Sequence, residues 1–140
     1  SAVNIIPDEC AIEVDRRLLP GETRESAKNE ILQLIEILSR EKEIKEILIS
    51  EPTTYAMPVD TNQNESIVKT ALQVCENILG YSDLKGVDFG CDASSFTEKG
   101  IPSIVFGPGN ILQAHTKDEY VTLEEVYKAA EIYSQICINF

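Results

Sequence analysis

The segment Asp88–Val121, DFGCDASSFTEKGIPSIVFGPGNILQAHTKDEYV, decides how the chain is read. Asp92 is placed to cap a short helix through Ala93–Lys99, because a short oxygen-bearing side chain satisfies the first free N–H groups of a helix. Gly100 fits the position just past that helix and Pro102 stops it. Ile104-Val105-Phe106 is a short apolar run of the kind buried on both faces of a parallel sheet. Gly107-Pro108-Gly109 breaks the run and lets backbone approach whatever lies beside it. In an open α/β sheet, ligands bind in the loops that follow strands. His115, the single histidine, stands six residues beyond Gly109, with Asp118 and Glu119 after it. One imidazole and two carboxylates are therefore expected at the binding edge of a sheet.

Working outward, the flanks show the same alternation of elements. Cys10–Leu18 alternates as a half-buried strand, and Pro20-Gly21 ends it. A helix starting at Glu22 or Thr23 and running to about Arg40 carries an apolar stripe of Ala27, Ile31, Leu34, Ile35 and Leu38. Ile44–Ile49 reads as a second strand. From Glu51 to Val59 the periodicity stops, and a domain crossing is placed there. Asn62 or Asn64 is expected to cap a helix that buries Ile67, Val68, Ala71, Leu72, Cys75 and Ile78 and ends at Gly80. Gly86–Gly90 begins a strand or a loop. Thr122 with Glu125 is a capping box opening a helix to about Ile138, with Leu123, Val126, Ala130, Tyr133 and Ile136 on its core side.

A chain of 140 residues suits one ordinary domain with a sizeable core. Hydrophobic residues at 43% and charged residues at 26% fit a soluble globular protein. A net charge of −12 argues against nucleic acid or anionic membrane as a partner, since both reward clustered Lys and Arg. No apolar run approaches the ~18 residues of a spanning helix. Cys10, Cys75, Cys91 and Cys137 form no C-x-x-C pair and read as reduced thiols of a cytoplasmic protein. Cys91 is expected to be packed or to stand behind the site, since no second histidine exists to activate it. The Gly107-Pro108-Gly109 turn is a weak phosphate-binding signal: it lacks the accompanying Lys, and Pro108 removes a backbone donor.

Two segments resemble the M20 metallopeptidase family, which includes acetylornithine deacetylase, succinyl-diaminopimelate desuccinylase, aminoacylase and carboxypeptidase G. The first is Gly90-Cys91-Asp92-Ala93, Gly100-Ile101-Pro102, Phe106–Gly109 and Ala114–Glu119. The second is Asn4–Pro7 with Asp15–Gly21. This chain has Ser94 where many relatives have Arg, which leaves substrate preference open. The resemblance implies a partial ferredoxin-like α+β lid over residues 1–51, followed by the C-terminal part of a zinc-peptidase-like α/β catalytic domain over residues 52–140. It implies zinc-dependent hydrolysis of an amide bond in N-acyl amino acids, with small peptides as the alternative substrate. Two zinc ions are implied, with cobalt as a substitute, and His115 as a ligand. Asn4 and Arg17 are implied to hold the substrate, with the Gly109 backbone in the pocket wall. Arg suits a carboxylate because its planar fork donates two parallel bonds. The other ligands and the general base fall in an N-terminal half with no counterpart here, so the chain alone is expected to be inactive. A homodimer through the lid is also implied. The rival class is a non-enzymatic ligand-binding module that keeps the fold.

Overall fold

A computed structural model describes residues 4, 6–7, 9–42, 44 and 46–140. Four α-helices follow one another: α1 Arg24–Lys42, α2 Ser66–Leu79, α3 Ala93–Glu98 and α4 Leu123–Asn139, with a single 3-10 turn at Ile111–Gln113 between the last two. The chain forms two units, Ser1–Glu51 and Pro52–Phe140.

In the first unit, α1 opens on Thr23. The Ser26 N–H donates to Thr23 Oγ1 at 3.1 Å, and the Thr23 N–H donates to Ser26 Oγ at 2.9 Å, a reciprocal cap that satisfies two otherwise orphaned donors. Ala27 is buried, while Leu34 and Leu38 of the same stripe stand exposed. The segment before the helix is tied to it by charge. Arg16 grips Glu22 with both terminal nitrogens, at 2.5 and 2.7 Å, and reaches Glu30 at 2.8 Å. The Glu22 carboxylate also accepts from the Leu19 N–H at 2.6 Å. Hydrogen bonding from Arg16 pulls the Glu22 carboxyl down to about 2, with the Leu19 N–H helping. The segment after the helix is tied by Lys28 and Arg24, both paired with Glu51.

In the second unit, α2 packs on α4. Val68, Ala71 and Val74 on one helix, and Ala129, Ile132 and Ile136 on the other, are buried. Ile132 is the most enclosed, at 2% exposure. Ile104 and Phe106 lean against the same cluster. Gly80 ends α2 at φ 77, a conformation glycine adopts without a Cβ clash, and its N–H donates to the Glu76 carbonyl. The Thr122–Glu125 capping box is present at the start of α4.

The expected α/β architecture, with its ferredoxin-like lid, is overturned: the described residues hold helices and no strand. Cys10–Leu18, Ile44–Ile49 (Lys45 lies outside the described residues) and Ile104–Phe106 join no ladder. An alternating pattern becomes a strand only when its N–H and C=O groups meet those of a neighbour, and here they do not. In Cys10–Leu18, Ile12 and Val14 are 82% and 67% exposed. The run at 104–106 was expected to be covered on two faces. Instead Ile104 and Phe106 are half-buried and Val105 is exposed, because helices cover one side only. Side chains do what a neighbouring strand would. Thr61 Oγ1 accepts from the Ser103 N–H at 3.3 Å and donates to the Ser103 carbonyl, and the Tyr133 hydroxyl donates to the Phe106 carbonyl at 2.8 Å.

Smaller expectations are corrected as well. Neither Asn62 nor Asn64 caps α2; Glu65 occupies that place, because the Asn62 side chain is spent on the Asn64 N–H at 2.8 Å. Asp92 precedes α3 without a side-chain capping bond. On α4, the buried stripe is Ala129, Ile132 and Ile136, so of the expected set only Ile136 is buried. Ile5, in the Asn4–Pro7 segment, and Asp8 lie outside the described residues.

An NMR pH titration is expected to give Glu22 a midpoint near 2 instead of the ordinary 4.5, and Arg16→Ala is expected to return it toward 4.5. A depressed carboxylate stabilises the fold above its unfolded value, so this contribution is present above about pH 4.5 and lost as pH falls toward 2. Glu22→Gln should flatten that part of a melting-temperature profile. Equal midpoints with and without Arg16 would contradict the pairing.

Candidate functional site

The loop from Phe106 to Tyr120 is built from its two ends inward. Phe106 is fixed by Tyr133: the rings meet edge to face with centroids 5.5 Å apart, and the hydroxyl takes the Phe106 carbonyl. Gly109 adopts φ +89, which L side chains rarely tolerate; a Cβ there would rest 3.5 Å from Val121 Cγ2, so the backbone and not space requires glycine. Asn110 then caps the 3-10 turn, its Oδ1 accepting from the Leu112 N–H at 3.0 Å. The Thr116 hydroxyl closes the far side by donating to the Gln113 carbonyl at 2.7 Å.

His115 follows this turn with φ 61, the left-handed region, and no other non-glycine residue described shares that sign. Histidine is among the residues enriched there, yet the conformation still costs about 1–2 kcal/mol. Its N–H donates to Glu119 Oε2 at 2.8 Å, a charge-assisted bond of the stronger kind. The imidazole is exposed, and among the described residues no hydrogen bond or ion pair engages its ring. Asp118 and Glu119 are exposed too.

The expected site residues are distributed over both units. His115 and Gly109 share the loop of the second unit. Asn4 and Arg17 belong to the first, and both are exposed. Arg17 pairs with Asp15 at 3.0 Å, and its neighbour Arg16 is the one built into a network. Cys91 is exposed and not packed. Burial raises the Cys75 thiol, the one cysteine partly covered. A groove of about 470 Å³ between α2 and α4 is lined by Lys69, Gln73, Asn77, Glu131, Gln135 and Asn139 among others and includes none of the expected site residues.

The described residues alone do not complete a metal site. A zinc ion needs at least three protein ligands, and among the described residues no group of three or more His, Cys, Asp or Glu side chains could hold one. The disengaged ring of His115 fits the part of a single ligand. Glu119 accepts from the His115 backbone N–H and not from its ring. Tyr133 was read as apolar lining; its hydroxyl was the available clue, since a tyrosine packed against a core usually finds a polar partner. No helix among the described residues is long and apolar enough to cross a membrane.

The family described as Peptidase family M20/M25/M40 matches residues 17–139. The chain belongs to this family. Acetylornithine deacetylase of Myxococcus xanthus is 28% identical over 99% of the chain and 35% of its own length. A Staphylococcus aureus protein named "Probable succinyl-diaminopimelate desuccinylase" is 25% identical over 98% of the chain and 34% of its own length. N-acetyl-L-citrulline deacetylase of Xanthomonas campestris pv. campestris is 46% identical over 36% of the chain and 14% of its own length. The M20 chain thus spans about a third of the length of the first two relatives. No solved structure matches it significantly.

In this M20 chain, Tyr133→Phe removes the hydroxyl that donates to the Phe106 carbonyl. Denaturant unfolding of the second unit is expected to show a loss of at most about 1 kcal/mol. Tyr127→Phe, at a hydroxyl-bearing ring that is 72% exposed, is the control and should leave the midpoint unchanged.

Proposed function

We propose that the chain is part of an amidohydrolase that removes an acyl group from N-acyl amino acids. The observation that carries this reading is the family match across residues 17–139, together with three relatives whose names each specify an N-acyl amino acid. Those compounds share an amide to be cleaved and a carboxylate to be gripped.

The residues of this chain divide the work accordingly. His115 supplies one ligand to a zinc ion, and its ring is exposed and unengaged, as a ligand must be before metal arrives. When bound, zinc would supply Lewis-acid polarisation of the amide carbonyl. Residues beyond these 140 supply the remaining ligands and the general base, so the chain by itself is inactive. Arg17 takes the substrate carboxylate. Its pair with Asp15 is a surface pair, which holds weakly and yields readily to a substrate anion, whereas Arg16 is committed to Glu22 and Glu30. Asn4 offers an exposed amide to neighbouring polar groups. Gly109, open at φ +89, lets backbone form the wall beside His115.

A peptidase acting on small peptides is the second reading, favoured by the family's own description. Parallel assays on N-acetylornithine, N-succinyl-diaminopimelate and dipeptides separate the two.

The test uses the longest natural protein containing these residues. Calorimetric titration with zinc is expected to show affinity falling more than about tenfold in His115→Ala. Unchanged zinc affinity would remove the metal role. Arg17→Ala should raise KM for the N-acyl amino acid, with kcat little changed. A charge-assisted bond contributes about 1.5–3 kcal/mol, so the rise should be about tenfold or more. A KM equal to that of the parent would overturn the Arg17 assignment.

A further inference from the structure

We infer that Glu119 is a positioning residue for His115, acting through the backbone and not through the ring. The inference rests on the zinc-ligand role proposed above for His115. Its own support is the local geometry. Within the turn, the Ala114 N–H donates to the Ile111 carbonyl at 3.1 Å, and the Thr116 N–H donates to the Gln113 carbonyl at 3.4 Å. The N–H between them, on His115, turns elsewhere and meets Glu119 Oε2 at 2.8 Å. That is also the residue with φ 61. A left-handed residue other than glycine persists only where its surroundings hold it, and the bond from Glu119 is the contact that holds this one.

The consequence lies in where the imidazole starts. A carboxylate behind a metal-binding histidine ordinarily takes the ring's second N–H and so fixes its tautomer and orientation. Here no side chain among the described residues holds the ring. The direction of its Cα–Cβ bond is then what places the ring, and that direction follows from φ. By holding φ, Glu119 sets the cone over which the imidazole can reach a metal. It keeps the second ring nitrogen available to other groups of the complete site.

His115 is the single histidine, so the 140-residue chain labelled with 15N-histidine gives one amide resonance. In Glu119→Ala that amide is expected to exchange with solvent at least tenfold faster and to shift upfield. Glu119→Asp keeps the charge but loses the reach, and should behave alike. Glu119→Gln keeps length and an acceptor oxygen and should restore most of the protection. Helicity measured by circular dichroism should be the same in all four proteins. If Glu119→Ala disturbs it, the Asp and Gln variants decide the matter. In the longest natural protein containing these residues, zinc affinity should fall about tenfold in Glu119→Ala and recover in Glu119→Gln. An unmoved histidine amide overturns the inference. So does unchanged zinc affinity in Glu119→Ala where His115→Ala lowers it. If His115→Ala itself leaves zinc affinity unchanged, the metal reading falls first and this inference with it.

Discussion

The second unit depends on one contact, the meeting of α2 and α4 around Ile132. Its four central side chains, Ala71, Val74, Ile132 and Ile136, form the buried cluster on which Ile104 and Phe106 pack. Small residues on α2 let the helices approach, and branched residues on α4 fill the space between them. Burying one such side chain contributes about 1.5–3 kcal/mol. The candidate loop hangs from that pair. Phe106 rests on it, Tyr133 reaches from α4 to fasten Phe106, and the loop carrying His115 departs from the fastened end.

The first unit is organised differently. Among its described residues it buries one, Ala27, and its segments are held to α1 largely by charge. Arg16 spans Glu22 and Glu30, while Glu51 meets Lys28 and Arg24. Apolar contact therefore governs one unit and ion pairing the other. Salt screens the second kind of contact much more than the first.

What the sequence disclosed follows from the range of each signal. Local rules mostly worked, the caps expected at Asn62 or Asn64 and at Asp92 excepted. Thr122 and Glu125 announced their capping box, Gly80 its helix end, and the 3.6-residue spacing all three long helices. Rules that need a partner did not. The alternation in Cys10–Leu18 and Ile104–Phe106 describes a strand only if another strand lies beside it, and that information is in no single segment. The α4 stripe was misjudged because apolar residues surround the helix, and the position of α2 decides which of them are buried. Arg16 and Arg17 are indistinguishable in one dimension; the places of Glu22 and Glu30 separate them. At the candidate site the residue types were legible, His115 and Glu119 above all. The sign of one φ, and hence the route by which the carboxylate acts, was not.

The clasp between Thr61 and Ser103 has a temporal consequence. It joins residues 42 apart along the chain, across α2 and α3. Closing so long a loop costs more entropy than forming a helical turn, and the cost falls due before the bond forms. Each helix can therefore form on its own before the clasp shuts. Such late contacts leave the speed of folding nearly untouched and govern instead how slowly the finished unit comes apart.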